Sequence, residues 1–126
     1  FASVGINGKS SELHAAMGLC VLPFMDEILN RRKELSLYYD QVLKNLRITK
    51  QAISSDTCYN YSYYPIVLES EAILQKSIEE LNKYQIFPRR YFYPSLDTLH
   101  YISLKQCCHV SRDIASRILC LPLYHD

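Results

Sequence analysis

The sequence predicts a small α/β domain, and three observations predict it. Segments of helical and strand type follow one another in the order helix, strand, helix, strand, helix. Hydrophobic residues make up 48% and charged residues 21% of the 126 residues, an ordinary globular composition with apolar material for one modest core. Two segments of strand type do not make a stable sheet alone, so the domain is expected to lean on further chain or on a second copy of itself.

Taken in order, "GINGKSSELHAAMGLC" (Gly5 to Cys20) opens as a turn and continues as a helix. Ser10 or Ser11 can cap it, and Glu12 in the first turn faces the positive end of the helix dipole. Leu13, Ala15, Ala16, Met17, Leu19, Cys20, Val21 and Leu22 leave almost no polar face, which predicts a helix buried on most sides. Pro23 then breaks or kinks it. A second helix is expected to about Leu46, with Ile28, Leu35, Tyr39, Val42 and Leu46 on its buried stripe and Arg31, Arg32, Asp40 and Lys44 facing water. "YNYSYYPIVL" (Tyr59 to Leu68) alternates like a strand, and Pro65 assigns it to a sheet edge or a bulge. Ser70 caps an amphipathic helix to about Tyr84 that buries Ile73, Leu74, Ile78 and Leu81, with Glu79 and Lys83 as an exposed pair. "IFPRRYFYPSL" reads as short extended chain punctuated by Pro88 and Pro94, and Ser111 is expected to cap a last helix through Leu119.

Composition excludes several classes of function. A net charge of +1 gives no bulk electrostatic case for nucleic acid or an anionic membrane. The longest apolar run, Ala15 to Met25, is interrupted by Gly18 and Pro23 and is too short to span a bilayer. Five cysteines without a C-x-x-C pair indicate neither a disulfide framework nor a zinc site, and read as reduced cytoplasmic thiols. No metal site is expected, since adjacent Cys107 and Cys108 beside His109 lack a second ligand pair. No P-loop, G-x-S-x-G, H-E-x-x-H or G-x-G-x-x-G is present, so no catalytic constellation is complete.

Two stretches remain with chemistry to offer. "GINGK" sets two glycines, Asn7 and Lys9 before a helix N-terminus, where backbone N–H groups favour an anion such as phosphate; a plain turn with an N-cap accounts for the same residues. "RRYFYPS" interleaves Arg89 and Arg90 with Tyr91, Phe92 and Tyr93, a set that can fork a phosphate and stack on a base or sugar; an edge strand with solvated arginines is the alternative. If the stretch is extended, Arg89, Tyr91 and Tyr93 share one face and Arg90 and Phe92 the other, so one arginine alone faces a ligand. Arg90 is slightly favoured, and Tyr93 is the preferred sugar contact.

Together these segments resemble a specific family. "GINGKSSELHAAMGL", followed by "RRKELSLYYDQVL", "FPRRYFYPSL" and a terminal "ILCLPLY", is similar to the pyridoxal-phosphate-dependent aminotransferases of nucleotide-linked keto-sugars (the DegT/DnrJ/EryC1/StrS family, aspartate-aminotransferase fold type I). The resemblance covers essentially the whole chain. It implies an α+β small domain, with helices packed on a small, mostly antiparallel sheet: the C-terminal domain of a fold type I enzyme. It divides the chain into residues 1–23, the end of the large domain and a junction helix, and residues 24–126, the small domain, truncated at both ends. It implies that Asn7, with Lys9, contacts the cofactor across a homodimer, and that Arg89, Arg90, Tyr91 and Tyr93 contact the nucleotide-sugar. The lysine that forms the Schiff base lies upstream of the first stretch in such enzymes, so no catalytic residue is expected in this chain. The fragment itself is expected to be inactive and to hold no cofactor alone.

The parent would move an amino group, from glutamate, to a nucleotide-linked keto-deoxysugar in the cytoplasm, for lipopolysaccharide, other polysaccharide or antibiotic sugars. Two alternatives stand beside it. One is the family's dehydratase branch, in which a histidine replaces the lysine; the other is a non-catalytic binding or interaction module that retains the small domain.

Overall fold

A computed structural model of the protein describes residues 8, 10–102 and 106–124. The elements run α1 (Glu12–Val21), a 3-10 turn (Leu22–Phe24), α2 (Met25–Val42), β1 (Thr49–Lys50), β2 (Tyr64–Val67), α3 (Glu71–Lys83), a second 3-10 turn (Leu96–Thr98), α4 (His109–Arg117) and β3 (Ile118–Leu121). The strands form one antiparallel sheet in the order β1-β2-β3, as the α+β reading expects.

The core lies on one face of this sheet. Tyr64 opposes Leu121 and Ile66 opposes Leu119, so alternate residues of β2 and β3 point the same way. With Leu68 they receive Leu74, Ile78 and Leu81 from α3, Tyr39 from α2 and Leu43 from just past its end. Leu74 and Leu119 are fully buried at its centre.

Helix α3 forms as its sequence dictates. Ser70 Oγ accepts the Ile73 N–H at 3.3 Å, and Glu71 and Lys83 sit at the dipole ends that favour them. Lys83 pairs with Glu80 at 2.6 Å, not with Glu79. Ile73 lies at the exposed margin of the buried stripe. The helix ends without a glycine: Gln85 takes φ 60°, its N–H bonds the Asn82 carbonyl, and the Ile86 N–H bonds the Leu81 carbonyl. This reversed turn satisfies two end carbonyls at the expense of a left-handed residue.

Four expectations are corrected. Helix α2 ends at Val42 rather than near Leu46; Arg32 and Asp40 lie half-buried on its inner side while Val42, and Leu46 beyond its end, are exposed, because a 3.6-residue period puts Leu43 rather than Val42 over Tyr39. The aromatic run contributes only Tyr64–Val67 to the sheet: Asn60 Oδ1 accepts the Ser62 N–H at 3.1 Å around Tyr61 at φ 50°, a local turn that overrides the alternation. β2 is the central strand despite Pro65. Both polar backbone groups of Cys120, opposite Pro65, bond to Arg89, so the proline nitrogen faces away from β3, beyond the end of the two-residue β1. The last helix starts at His109 and stops at Arg117, and "ILCL" leaves it as β3. A short apolar run of that kind fits helix and strand equally, and burial against β2 decides for the strand.

Helix α1 is the remaining departure. Ser11 caps it, accepting the His14 N–H at 3.4 Å, but none of its residues is buried. Leu13 and Leu19, on different sides, are 72% and 70% exposed. No helix among the described residues is long and apolar enough to cross a membrane.

Candidate functional site

Arg89 is held by its backbone, which exchanges two hydrogen bonds with Cys120 at 3.1 and 2.8 Å, so the loop before the second 3-10 turn is stitched to the outer edge of β3. Its exposed guanidinium donates to the Tyr91 hydroxyl, 5.7 Å from that ring's centroid. Tyr91 meets Tyr63 edge to face at 5.3 Å. The chain turns at Tyr91 and Phe92, so the stretch is not a continuous strand.

These residues line a cavity of about 450 Å³ with Arg32, Ser62, Phe87, Cys120, Leu121, Pro122, Leu123 and Tyr124. The lining carries two guanidinium groups and no carboxylate, and three tyrosines and a phenylalanine supply ring faces and hydroxyls. Its chemistry suits an anion attached to a ring system.

Arg90 serves a different end. Its guanidinium donates to Glu71 at 3.0 Å and to the carbonyls of Ala115 (3.4 Å) and Ser116 (3.0 Å), and lies 3.6 Å from the Tyr93 ring centroid. It joins α3 to the last turn of α4. The simple alternation is therefore broken: Arg89 and Tyr91 go together as expected, while Tyr93 sides with Arg90. Of the four substrate-side residues read from the sequence, the structure brings Arg89 and Tyr91 to the cavity and stacks Arg90 on Tyr93 away from it. Asn7 and Lys9 lie outside the described residues.

Arg32, Tyr63 and Tyr124 were not singled out by the sequence. Arg32 is findable by counting back from Tyr39 along the inner face of α2, but Tyr63 and Tyr124 reach the cavity only through the turn at Tyr61 and the pairing of β3.

Two other polar clusters are structural. Asp40 Oδ1 accepts from Tyr64 and Lys50, each at 2.6 Å. Burial pushes the Asp40 carboxyl upward, and the hydrogen bonds from Lys50 and Tyr64 outweigh it, so its pKa is lowered. Burial and then Asp40 push the Tyr64 phenol above its usual range, which makes it a fixed donor. Asp97 accepts from the Cys108 N–H at 2.9 Å, Arg112 Nε at 2.7 Å and Ser95 Oγ at 2.6 Å. Led by the Cys108 N–H and then Ser95, these bonds hold its carboxyl down to about 2. Among the described residues no group of three or more His, Cys, Asp or Glu side chains could hold a metal ion.

The profile of the DegT/DnrJ/EryC1/StrS aminotransferase family matches residues 2–126. A dTDP-4-amino-4,6-dideoxy-D-glucose transaminase of Shigella dysenteriae is 39% identical over 129 residues, covering 98% of this chain and 35% of that protein. The chain thus spans about a third of the length of the curated relatives it matches. Among solved structures, the aminotransferase TlmJ of Streptoalloteichus hindustanus superposes with a TM-score of 0.81 at 19% identity, over 98% of this chain and 34% of that one. At this identity the likeness shows the fold alone. DesI, crystallised in the presence of its TDP-sugar product, gives a TM-score of 0.78 at 26% identity, over 94% of this chain and 32% of that one.

Proposed function

The chain belongs to the DegT/DnrJ/EryC1/StrS aminotransferase family, and from that premise we propose that it is the C-terminal part of a cytoplasmic enzyme that aminates a nucleotide-linked keto-deoxysugar, with glutamate as donor. The observation that carries this reading is the match along the whole chain to a dTDP-amino-sugar transaminase at 39% identity. The product in that relative's name has an amino group at carbon 4, so the matching acceptor is a dTDP-linked 4-keto-6-deoxyhexose, made for a surface polysaccharide such as O-antigen. Residues 24–126 form the small domain in this reading, and residues 1–23 the junction to a larger one.

Pyridoxal phosphate is the cofactor the family implies, and when bound it supplies an electron sink for moving the amino group. The residues lining the cavity do not fit it as a resident group. The cavity lining has no lysine amine to condense with its aldehyde and no carboxylate to face its ring nitrogen. What the lining fits is the nucleotide end of the substrate: Arg89 binds phosphate and Tyr91 orients it. Asn7 and Lys9 are proposed to reach the cofactor phosphate across a homodimer.

The test is amino transfer by the full-length protein carrying this chain, supplied with pyridoxal phosphate, glutamate and the dTDP-linked 4-keto-6-deoxyhexose. Glutamate-dependent formation of the amino-sugar is expected. Failure to aminate any dTDP- or UDP-linked keto-sugar, or dehydration in place of amination, would overturn the reading.

A further inference from the structure

We propose that Arg32 is a second phosphate-binding residue of the nucleotide-sugar site, reaching the cavity from α2 and acting with Arg89. The proposal rests on the reading of the chain as part of a sugar-nucleotide aminotransferase, and it gives a ligand to a residue of "RRKELSLYYDQVL" that the sequence pattern assigned only to the water-facing side of its helix.

Arg31 and Arg32 are neighbours on one helix with different fates. Arg31 stands in water and pairs with Glu34 at 3.0 Å, the usual surface arrangement. Arg32, one residue on, turns inward, is half-buried and lines the cavity. Its Nε is buried without a hydrogen-bond partner, and no carboxylate of the described residues pairs with it. Drawing a guanidinium out of water is costly unless an anion or hydrogen-bond acceptors replace the lost solvent. The second arginine of the lining, Arg89, comes from a different element and also lacks a carboxylate partner among the described residues. Two guanidinium forks in one lining that carries no carboxylate match an anion with more than one charged group.

Glutamate and a sugar diphosphate both answer that description. The rest of the lining separates them. Tyr63, Tyr91, Tyr124 and Phe87 offer ring faces, which a nucleoside uses and glutamate does not. A volume of about 450 Å³ is that of a small-molecule site.

The experiment uses the full-length protein with pyridoxal phosphate bound, comparing wild type, Arg32→Gln, Arg32→Lys and Arg89→Gln. Calorimetry gives the affinities for dTDP and for thymidine, which lacks phosphate, and absorbance follows the half-reaction with glutamate. Arg32→Gln is expected to weaken dTDP about tenfold or more, the effect of losing a charge-assisted hydrogen bond. Thymidine affinity and the glutamate half-reaction should stay at the wild-type level, and Arg32→Lys should recover part of the loss through its charge. Unchanged dTDP affinity in Arg32→Gln would overturn the proposal, with the wild-type half-reaction showing that the aminotransferase reading survives. Equal losses for dTDP, thymidine and glutamate would also overturn it, since they mark a residue that only supports the fold. A wild-type protein with no glutamate half-reaction would refute the aminotransferase reading and this proposal with it.

Discussion

Arg89 and Arg90 are adjacent in sequence and have opposite duties. The side chain of Arg90 is 17% exposed and binds Glu71, two carbonyls of α4 and the face of Tyr93. Removing it leaves buried carbonyls and a carboxylate without their donor, so Arg90→Ala should destabilise the chain by about 2 kcal/mol, measured by urea unfolding. Arg89→Ala should leave the melting temperature unchanged, because among the described residues that guanidinium hydrogen-bonds Tyr91 alone, at the cavity wall. In the full-length enzyme it should raise KM for the nucleotide-sugar and spare the glutamate half-reaction. The reverse pattern, a stable Arg90→Ala and an unfolded Arg89→Ala, would exchange the two roles. Sequence alternation put the two arginines on different faces but slightly favoured Arg90 for the ligand, whereas the fold engages Arg90 and leaves Arg89 at the cavity, because the carbonyls that hold Arg90 are 25 and 26 residues further along the chain.

Helix α4 shows how one element borrows its end from another. Its N-cap, Cys108, offers no side-chain hydrogen bond, and Asp97 from the second 3-10 turn accepts the Cys108 N–H instead and reaches Arg112 one turn further on. The carboxyl titrates at about 2 when folded, below the value near 3.9 of an unfolded aspartate. A depressed carboxyl contributes stability that is complete above the unfolded value and disappears as pH falls toward the folded one. Acidification from pH 5 to 2 should therefore weaken the wild type more steeply than Asp97→Asn, read from urea midpoints at each pH. Parallel profiles would show that Asp97 does not hold α4. Nothing in the sequence near Cys108 announces this cap, since its two partners are eleven residues apart.

At the scale of the whole molecule, α1 is a ten-residue helix that buries none of its side chains and carries Leu13, Met17, Leu19 and Val21 into solvent, with Leu22 exposed just after it. A helix of that length is marginal in water without packing, and an apolar surface of this kind marks an interaction face. Sedimentation of the 126-residue chain should therefore show a dimer or larger assembly that covers α1. A compact monomer that binds no hydrophobic dye would contradict it. The apolar composition of Leu13 to Leu22 had predicted a buried helix; the described residues contain nothing that covers it.

Resemblance of whole motifs pointed to the family and the α+β class, and local pattern by itself determined a cap at Ser10 or Ser11, the cap at Ser70 and most of the buried stripe of α3. The caps and the stripe are local or periodic features, set by side-chain spacing and short-range hydrogen bonds, and they are legible wherever chain neighbours suffice. Only the tertiary structure decided that "ILCL" is a strand, that Pro65 sits in the middle of the sheet, and that Arg32 turns to the cavity with Arg89 while Arg90 is held by α3 and α4. Each of those outcomes depends on a partner far along the chain: β2 for β3, the short reach of β1 for Pro65, the carbonyls of Ala115 and Ser116 for Arg90. Burial and hydrogen-bond satisfaction are properties of the packed molecule, and a linear pattern carries them only where the element's inner face is already known.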